Sequence, residues 1–131
     1  MSKLTAEERA ALKERVKESK GTGEPEVLEK IAEMPDADRA IAERIHALVK
    51  EVAPDATART WYGMPAYARN GEVVCFFQSG HKFKSRYATL GFSDKAKLDD
   101  GAMWPVAYAL TAMTGAEERR IRELLEQALV R

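Results

Sequence analysis

The chain is poor in the residues that would point to a covalent framework, a metal cage or a membrane. Of 131 residues one is cysteine, Cys75, and two are histidines, His46 and His81. One cysteine excludes an internal disulfide and a cysteine-rich zinc site. No apolar run approaches the roughly 18 residues needed to cross a bilayer. The opening "MSKLTAEERAALKERVK" lacks the apolar stretch of a secretory leader. Together these features make the cytoplasm the expected compartment. Catalytic signatures are also missing: there is no HExxH and no nucleophile elbow, and "GTGEP" at 21–25 is not followed by GK[ST], so it reads as a linker rather than a phosphate loop. Net charge is absent too, with 21 Lys and Arg against 21 Asp and Glu. That balance argues against a nucleic-acid partner, which needs a broad positive surface.

What is present is a globular composition, 45% hydrophobic and 32% charged, long enough for one domain with a real core. The charge is unevenly placed. Residues 56–92 carry five Lys and Arg against one acidic residue. A cationic middle suits one small anionic ligand, and it equally suits strand edges kept soluble by Lys and Arg.

Helical periodicity opens and closes the chain. "LTAEERAALKERVKESK" has a capping-box signature, Thr5 with Glu8, over a thin stripe of Leu4, Leu12 and Val16, and predicts a peripheral helix. With its linker it forms an N-terminal extension over residues 1–24, ahead of a single domain over 25–131. From Pro25, Val27, Leu28, Ile31 and Met34 recur at helical spacing until Pro35. Ile41, Ile45, Leu48, Val49 and Val52 then form the clearest amphipathic stripe, closed by Pro54. At the other end, Thr114 and Glu117 make a second capping box before Ile121, Leu124, Leu125, Ala128 and Leu129.

Between these helices the period is two. "TARTWY" is a strand candidate, and "PAYARNGEVVCFFQ" a hairpin whose Asn70-Gly71 suits a type I′ turn. A two-residue loop pairs Arg69 with Glu72, Ala68 with Val73, Tyr67 with Val74 and Ala66 with Cys75. That register sorts small side chains (Ala66, Ala68, Val73, Cys75, Phe77) from large ones (Tyr67, Val74, Phe76), and predicts helices against the small face. "HKFKSRYATLGF" continues as strand, with Lys82, Lys84 and Arg86 alternating against His81, Phe83 and Tyr87. "AMWPVAYAL" reads as a last strand that Pro105 confines to an edge. The expected fold is α+β: an antiparallel sheet of about five strands with helices packed mainly on one face.

Candidate binding residues cluster in and after "TWYGMPAYARNG". Trp61, Tyr62, Tyr67 and Phe76 offer an aromatic wall, and His81, Lys82, Lys84 and Arg86 a cationic lip. Their chemistry fits a small anionic or aromatic metabolite; core packing is the competing role for the same rings. Glu26, Glu29 and Glu33 share a helix face and are the candidate metal carboxylates, although Lys30 interrupts them. Cys75, mid-strand in "VVCFF", reads as a buried small hydrophobe. No residue is assigned a catalytic role. A thin helix and a partly covered aromatic sheet face leave room for a second copy of the chain as partner.

The corner Tyr62-Gly63-Met64-Pro65, the Asn70-Gly71 hairpin, the His81-Lys82 pair and a late glycine-led strand from Gly101 before the last helix resemble the YdhG-like family, a bacterial domain family. The likeness covers about residues 25–131. It implies a compact α+β domain with a frataxin-like outline. Some members are described as iron chaperones, so the resemblance implies iron as a possible cargo and no agreed catalytic residue. The expectation drawn from all this is a non-enzymatic binding or carrier protein for a small molecule or metal ion, with an enzyme of unassigned chemistry as the further alternative.

Overall fold

The computed structural model describes residues 23–131, so the expected helix over the first residues lies outside the described chain. Two helices come first, α1 (Glu24–Ala32) and α2 (Asp36–Val52). Pro25 occupies the first turn of α1, where its missing N–H costs nothing. Pro35 precedes α2 and separates the two. Five strands follow: β1 (Thr57–Trp61), β2 (Met64–Arg69), β3 (Glu72–Gln78), β4 (Ala88–Phe92) and β5 (Ala107–Leu110). They form one antiparallel meander in chain order. The last helix, α3 (Gly115–Leu125), begins on the capping box that Thr114 and Glu117 predict and ends in a π-helical turn over Glu126–Val130. The α+β class and the five-stranded sheet are therefore as expected.

The core lies between the sheet and the three helices. Val27 and Ile31 of α1, Ile41, Ile45, Leu48 and Val49 of α2, and Ile121, Leu124 and Leu125 of α3 pack with Tyr67, Cys75, Phe77, Leu90 and Phe92 of the sheet. Leu28 departs from its predicted stripe and stays 47% exposed. Ion pairs join the helices outside this core: Arg44 grips Glu118 with two 2.9 Å bonds, and Arg122 reaches Glu51 at 2.8 Å.

Register is where the structure corrects the sequence reading. Asn70 (φ 54°) and Gly71 (φ 81°) make the expected tight turn, and Arg69–Glu72 and Ala68–Val73 pair as predicted. Then the ladder slips. Tyr67 pairs with Cys75 and Ala66 with Phe76, leaving Val74 as an extra residue. This is a β-bulge. Its carbonyls are satisfied by Ser93, whose amide donates to Val74 O at 2.9 Å and whose hydroxyl donates to Val73 O at 2.7 Å. The slip puts Tyr67, Cys75 and Phe77 on one face and Ala66 and Phe76 on the other. The helices cover the Tyr67 face: Cys75 and Phe77 turn to them as predicted, whereas Ala66 and Ala68 do not.

The expected strand over 81–87 is also absent. Residues 79–87 form a looped excursion, closed by Ser85 N–H to Gly80 O at 2.8 Å and Lys84 N–H to His81 O at 3.2 Å. Regular pairing resumes only at Ala88. Lys84 has φ 56°, a left-handed conformation that breaks any extended run. Likewise β5 is confined to Ala107–Leu110, two residues beyond Pro105, at the end of the strand order.

Candidate functional site

The corner quoted above is built by a second tight hairpin. Trp61 and Met64 close the β1–β2 ladder, so the loop is Tyr62-Gly63 alone. Both have positive φ, 51° and 74°, the pattern of a type I′ turn. Glycine takes that conformation freely; tyrosine does not. The sequence Gly63-Met64-Pro65 suggests a bend over all three; Gly63 does turn, and Met64 and Pro65 begin β2. The turn leaves the Tyr62 ring 79% exposed.

Behind Tyr62 runs an aromatic row on the sheet face away from the helices. Tyr62 meets Trp61 edge-on with ring centres 4.8 Å apart, and Trp61 meets Phe76 at 5.3 Å. Phe76 lies across Gly91 of β4; a Cβ on Gly91 would fall 2.3 Å from the Phe76 ring. Glycine there is what lets the ring lie down. Arg59 pairs with Ala66, itself beside Phe76, and so shares this face. The loop over 79–87 supplies a second cation. Lys82 reaches across and donates from Nζ to Gly63 O at 3.2 Å, while lying 5.7 Å over the partly exposed Phe83 ring. The corner therefore carries Trp61, Tyr62, Phe76 and Lys82 together, as the sequence reading wanted, and adds Arg59 and Phe83.

Other expected members are elsewhere. Tyr67 is buried on the opposite face of the sheet, so it cannot line a cavity with Trp61 and Phe76. His81 and Arg86 border a different cleft, about 310 Å³, with Pro35, Asp38 and Ile41 at the start of α2. Asp38 accepts from Ser79 Oγ at 2.6 Å and from the His81 amide at 3.0 Å, pinning the loop to that helix. Arg86 rests over Tyr87 at 5.4 Å. Lys84 is exposed on the same loop. The candidate basic groups are thus divided between two sites, with Lys82 at the corner and His81 and Arg86 at the cleft by α2.

The buried Tyr67 reveals a polar relay that sequence reasoning missed. Its hydroxyl lies 3.0 Å from His46 Nδ1, and His46 Nε2 lies 2.7 Å from Glu24 Oε2. Lys50, one turn after His46 on α2, donates to both Glu24 oxygens at 3.1 and 2.9 Å. A carboxylate only accepts, so Nε2–H donates to Glu24. In the neutral ring Nδ1 then accepts from the Tyr67 hydroxyl. Lys50 and His46 hold the Glu24 carboxyl below its ordinary range. Burial pushes the Tyr67 phenol far above its own. A cleft of about 390 Å³ opens beside the relay, lined by Glu24, His46, Lys50, Asp55 and Thr57. The order carboxylate–imidazole–hydroxyl resembles a nucleophile triad, but a phenol sealed from solvent and disfavoured as an anion is no nucleophile. What the relay does is satisfy every polar tip of a buried tyrosine and histidine. The signal for it was weak: a buried Tyr needs a partner, and His46 flanks the apolar stripe of its helix.

Cys75 is fully buried, with its thiol pushed up to about 12 by desolvation, and has the inert character expected. The candidate metal carboxylates are Glu26 and Glu29 of α1 and Glu33 at its C-terminal cap, with Lys30 at 3.9 Å from Glu33. Among the described residues no three His, Cys, Asp or Glu side chains are placed to hold an ion. Nor, among them, is any helix long and apolar enough to cross a membrane.

No family model matches the chain, no curated protein matches it, and no solved structure matches it.

Proposed function

We propose that this chain is a non-enzymatic binding protein of YdhG-like type, and that its ligand is a small aromatic anion held at the Tyr62 corner. The observation that carries this reading is Tyr62 itself: a bulky residue in a left-handed turn position that asparagine or glycine would fill at lower cost, with its ring turned to solvent. Exposed Tyr62 beside Trp61 gives a flat ring a stacking platform, and Lys82 and Arg59 supply charge for a phosphate or carboxylate. Stacking on an exposed aromatic is worth about 1–3 kcal/mol per ring. Iron is the weaker cargo because the carboxylates of α1 do not converge. Cytoplasmic residence belongs to the same proposal, supported by a lone, buried thiol.

The test is titration with adenosine monophosphate, a planar ring bearing a phosphate, against inorganic phosphate and indole-3-acetate as partial mimics. Resonance shifts are expected at Trp61, Tyr62 and Phe76 with the two aromatic anions and not with phosphate alone. Lys82→Glu should weaken that binding about tenfold, the loss of roughly 1.4 kcal/mol. A corner that shows no shift with either aromatic anion sinks the reading.

A further inference from the structure

We propose that the Tyr62 corner takes a dinucleoside phosphate, two bases joined by one phosphodiester, with the second base on Phe83. This rests on the reading of Tyr62 as a stacking platform and names what the platform holds. The observation behind it is the seat of Lys82. Its ammonium donates to Gly63 O at 3.2 Å and lies 5.7 Å from the centre of the Phe83 ring. One cation thus sits between two exposed aromatics, Tyr62 at 79% and Phe83 at 44%. Gly63 makes the seat possible, because a Cβ there would collide with Lys82 Nζ. An ammonium has three donors, and the turn carbonyl takes one. The other two suit the two free oxygens of a phosphodiester, and the bases on either side of it then fall on the two rings.

The seat is held from behind. Asp38 accepts from Ser79 Oγ at 2.6 Å and from the His81 amide at 3.0 Å, and Ser85 N–H closes the loop on Gly80 O at 2.8 Å. Lys82 and Phe83 lie between these anchors, so part of the ordering cost is met before a ligand arrives. From Val73 to Ser93 the sequence has no acidic residue, so no carboxylate of β3, β4 or the loop between them repels an anion. What lies beyond the corner limits the ligand to two bases. His81 and Arg86 border the cleft at the start of α2 with Asp38, so the cations do not continue in one line from Lys82. A longer single strand needs a positive groove that tracks its backbone. One ammonium between two rings matches one phosphate between two bases.

Titration of the full chain with adenylyl-3′,5′-adenosine, set against adenosine monophosphate, tests this. The dinucleoside phosphate carries the smaller charge, so tighter binding of it cannot come from charge. It should bind at least tenfold more tightly, the gain from a second stacked base. It should also shift the Phe83 ring resonances, which adenosine monophosphate should barely move. Phe83→Leu keeps apolar bulk and removes the flat ring, and should bring the two affinities within about twofold of each other. A methylphosphonate-linked analogue, with the same bases and an uncharged linker, should bind the parent chain at least tenfold more weakly than the phosphodiester. Four results overturn the proposal. Equal affinities with Phe83 unmoved, while adenosine monophosphate still shifts Tyr62, remove it and leave the single-ring reading standing. No shift with either ligand removes both readings. Affinities indifferent to Phe83→Leu and to the uncharged linker remove the second ring and the phosphate contact. An affinity that keeps climbing as adenylates are added beyond two assigns the corner to a single strand instead.

Discussion

Replacing Tyr62 by asparagine should make the protein more stable. An L-residue held in the left-handed region costs about 1–2 kcal/mol, and asparagine recovers much of that through its short polar side chain. The substitution also removes the edge-on contact of Tyr62 with Trp61. Buried aromatic pairs contribute about 0.5–1.5 kcal/mol, but Tyr62 is 79% exposed and belongs at the low end. The net expectation is a gain of about 0.5–1 kcal/mol, or roughly 2–5 °C in Tm for a domain of this size. The β2–β3 hairpin supplies the internal control. Asn70 occupies the same turn position at φ 54°, also followed by glycine. Asn70→Tyr should therefore lose about what Tyr62→Asn gains, on the order of 1 kcal/mol. Thermal and urea unfolding of both variants measure this directly. The reading that Tyr62 is retained for its exposed ring also requires that Tyr62→Asn bind adenosine monophosphate less well than the parent. If Tyr62→Asn destabilises by about 1 kcal/mol or more, the ring is a structural anchor and the argument from strain fails.

Two further expectations concern the relay behind the sheet. Tyr67→Phe leaves His46 Nδ1 buried without its partner and should cost about 1–3 kcal/mol in urea unfolding. Adding His46→Leu to it should cost less than the two single changes summed, since the second change removes the orphaned group; strict additivity would mean the bond carries no coupling. Glu24 has its pKa lowered in the folded state by Lys50 and then His46. Its contribution to stability is thus fully present above the ordinary glutamate value of 4.5 and is lost as pH falls through the lower folded value. Glu24→Gln should flatten that acid limb of the stability profile, and an unchanged limb would show that other carboxylates dominate it.

The described helices and the Asn70-Gly71 turn were legible because each is written in local chemistry. Thr114 and Glu117 cap α3 as their spacing says, and the buried stripe Ile121, Leu124, Leu125, Ala128 and Leu129 follows from a 3.6-residue period. Asn70-Gly71 announces its hairpin. Tyr62-Gly63 uses the same geometry, but a tyrosine in the first place hides it, and the bend was expected over Gly63-Met64-Pro65, one residue late. The loop over 79–87 was misread for a related reason. Alternating Lys82, Lys84 and Arg86 against His81, Phe83 and Tyr87 mimics strand periodicity, while the segment is held by Asp38, 41 residues earlier than Ser79. A tertiary bond of that kind leaves no trace in a local pattern.

The extra residue at Val74 decides most of what lay beyond reach. With Val74 in register, Tyr67 would share a face with Phe76, while Trp61, fixed by its pairing with Met64, would stay on the other. With Val74 bulged, Tyr67 turns to the helices, where His46 and Glu24 receive its hydroxyl, and Phe76 stays outside against Gly91 and Trp61. One residue therefore separates Phe76 from Tyr67 and sets it beside Trp61, giving two features: an inward polar relay and an outward aromatic row. Nothing in "NGEVVCFF" marks that bulge, since it has no glycine at the slip. Its enabling partner is Ser93, beyond the end of β4, whose amide and hydroxyl take up the Val74 and Val73 carbonyls. The facing of a β-strand is set by such distant hydrogen bonds as much as by its own alternation, and here Phe76 faces Trp61 because of them.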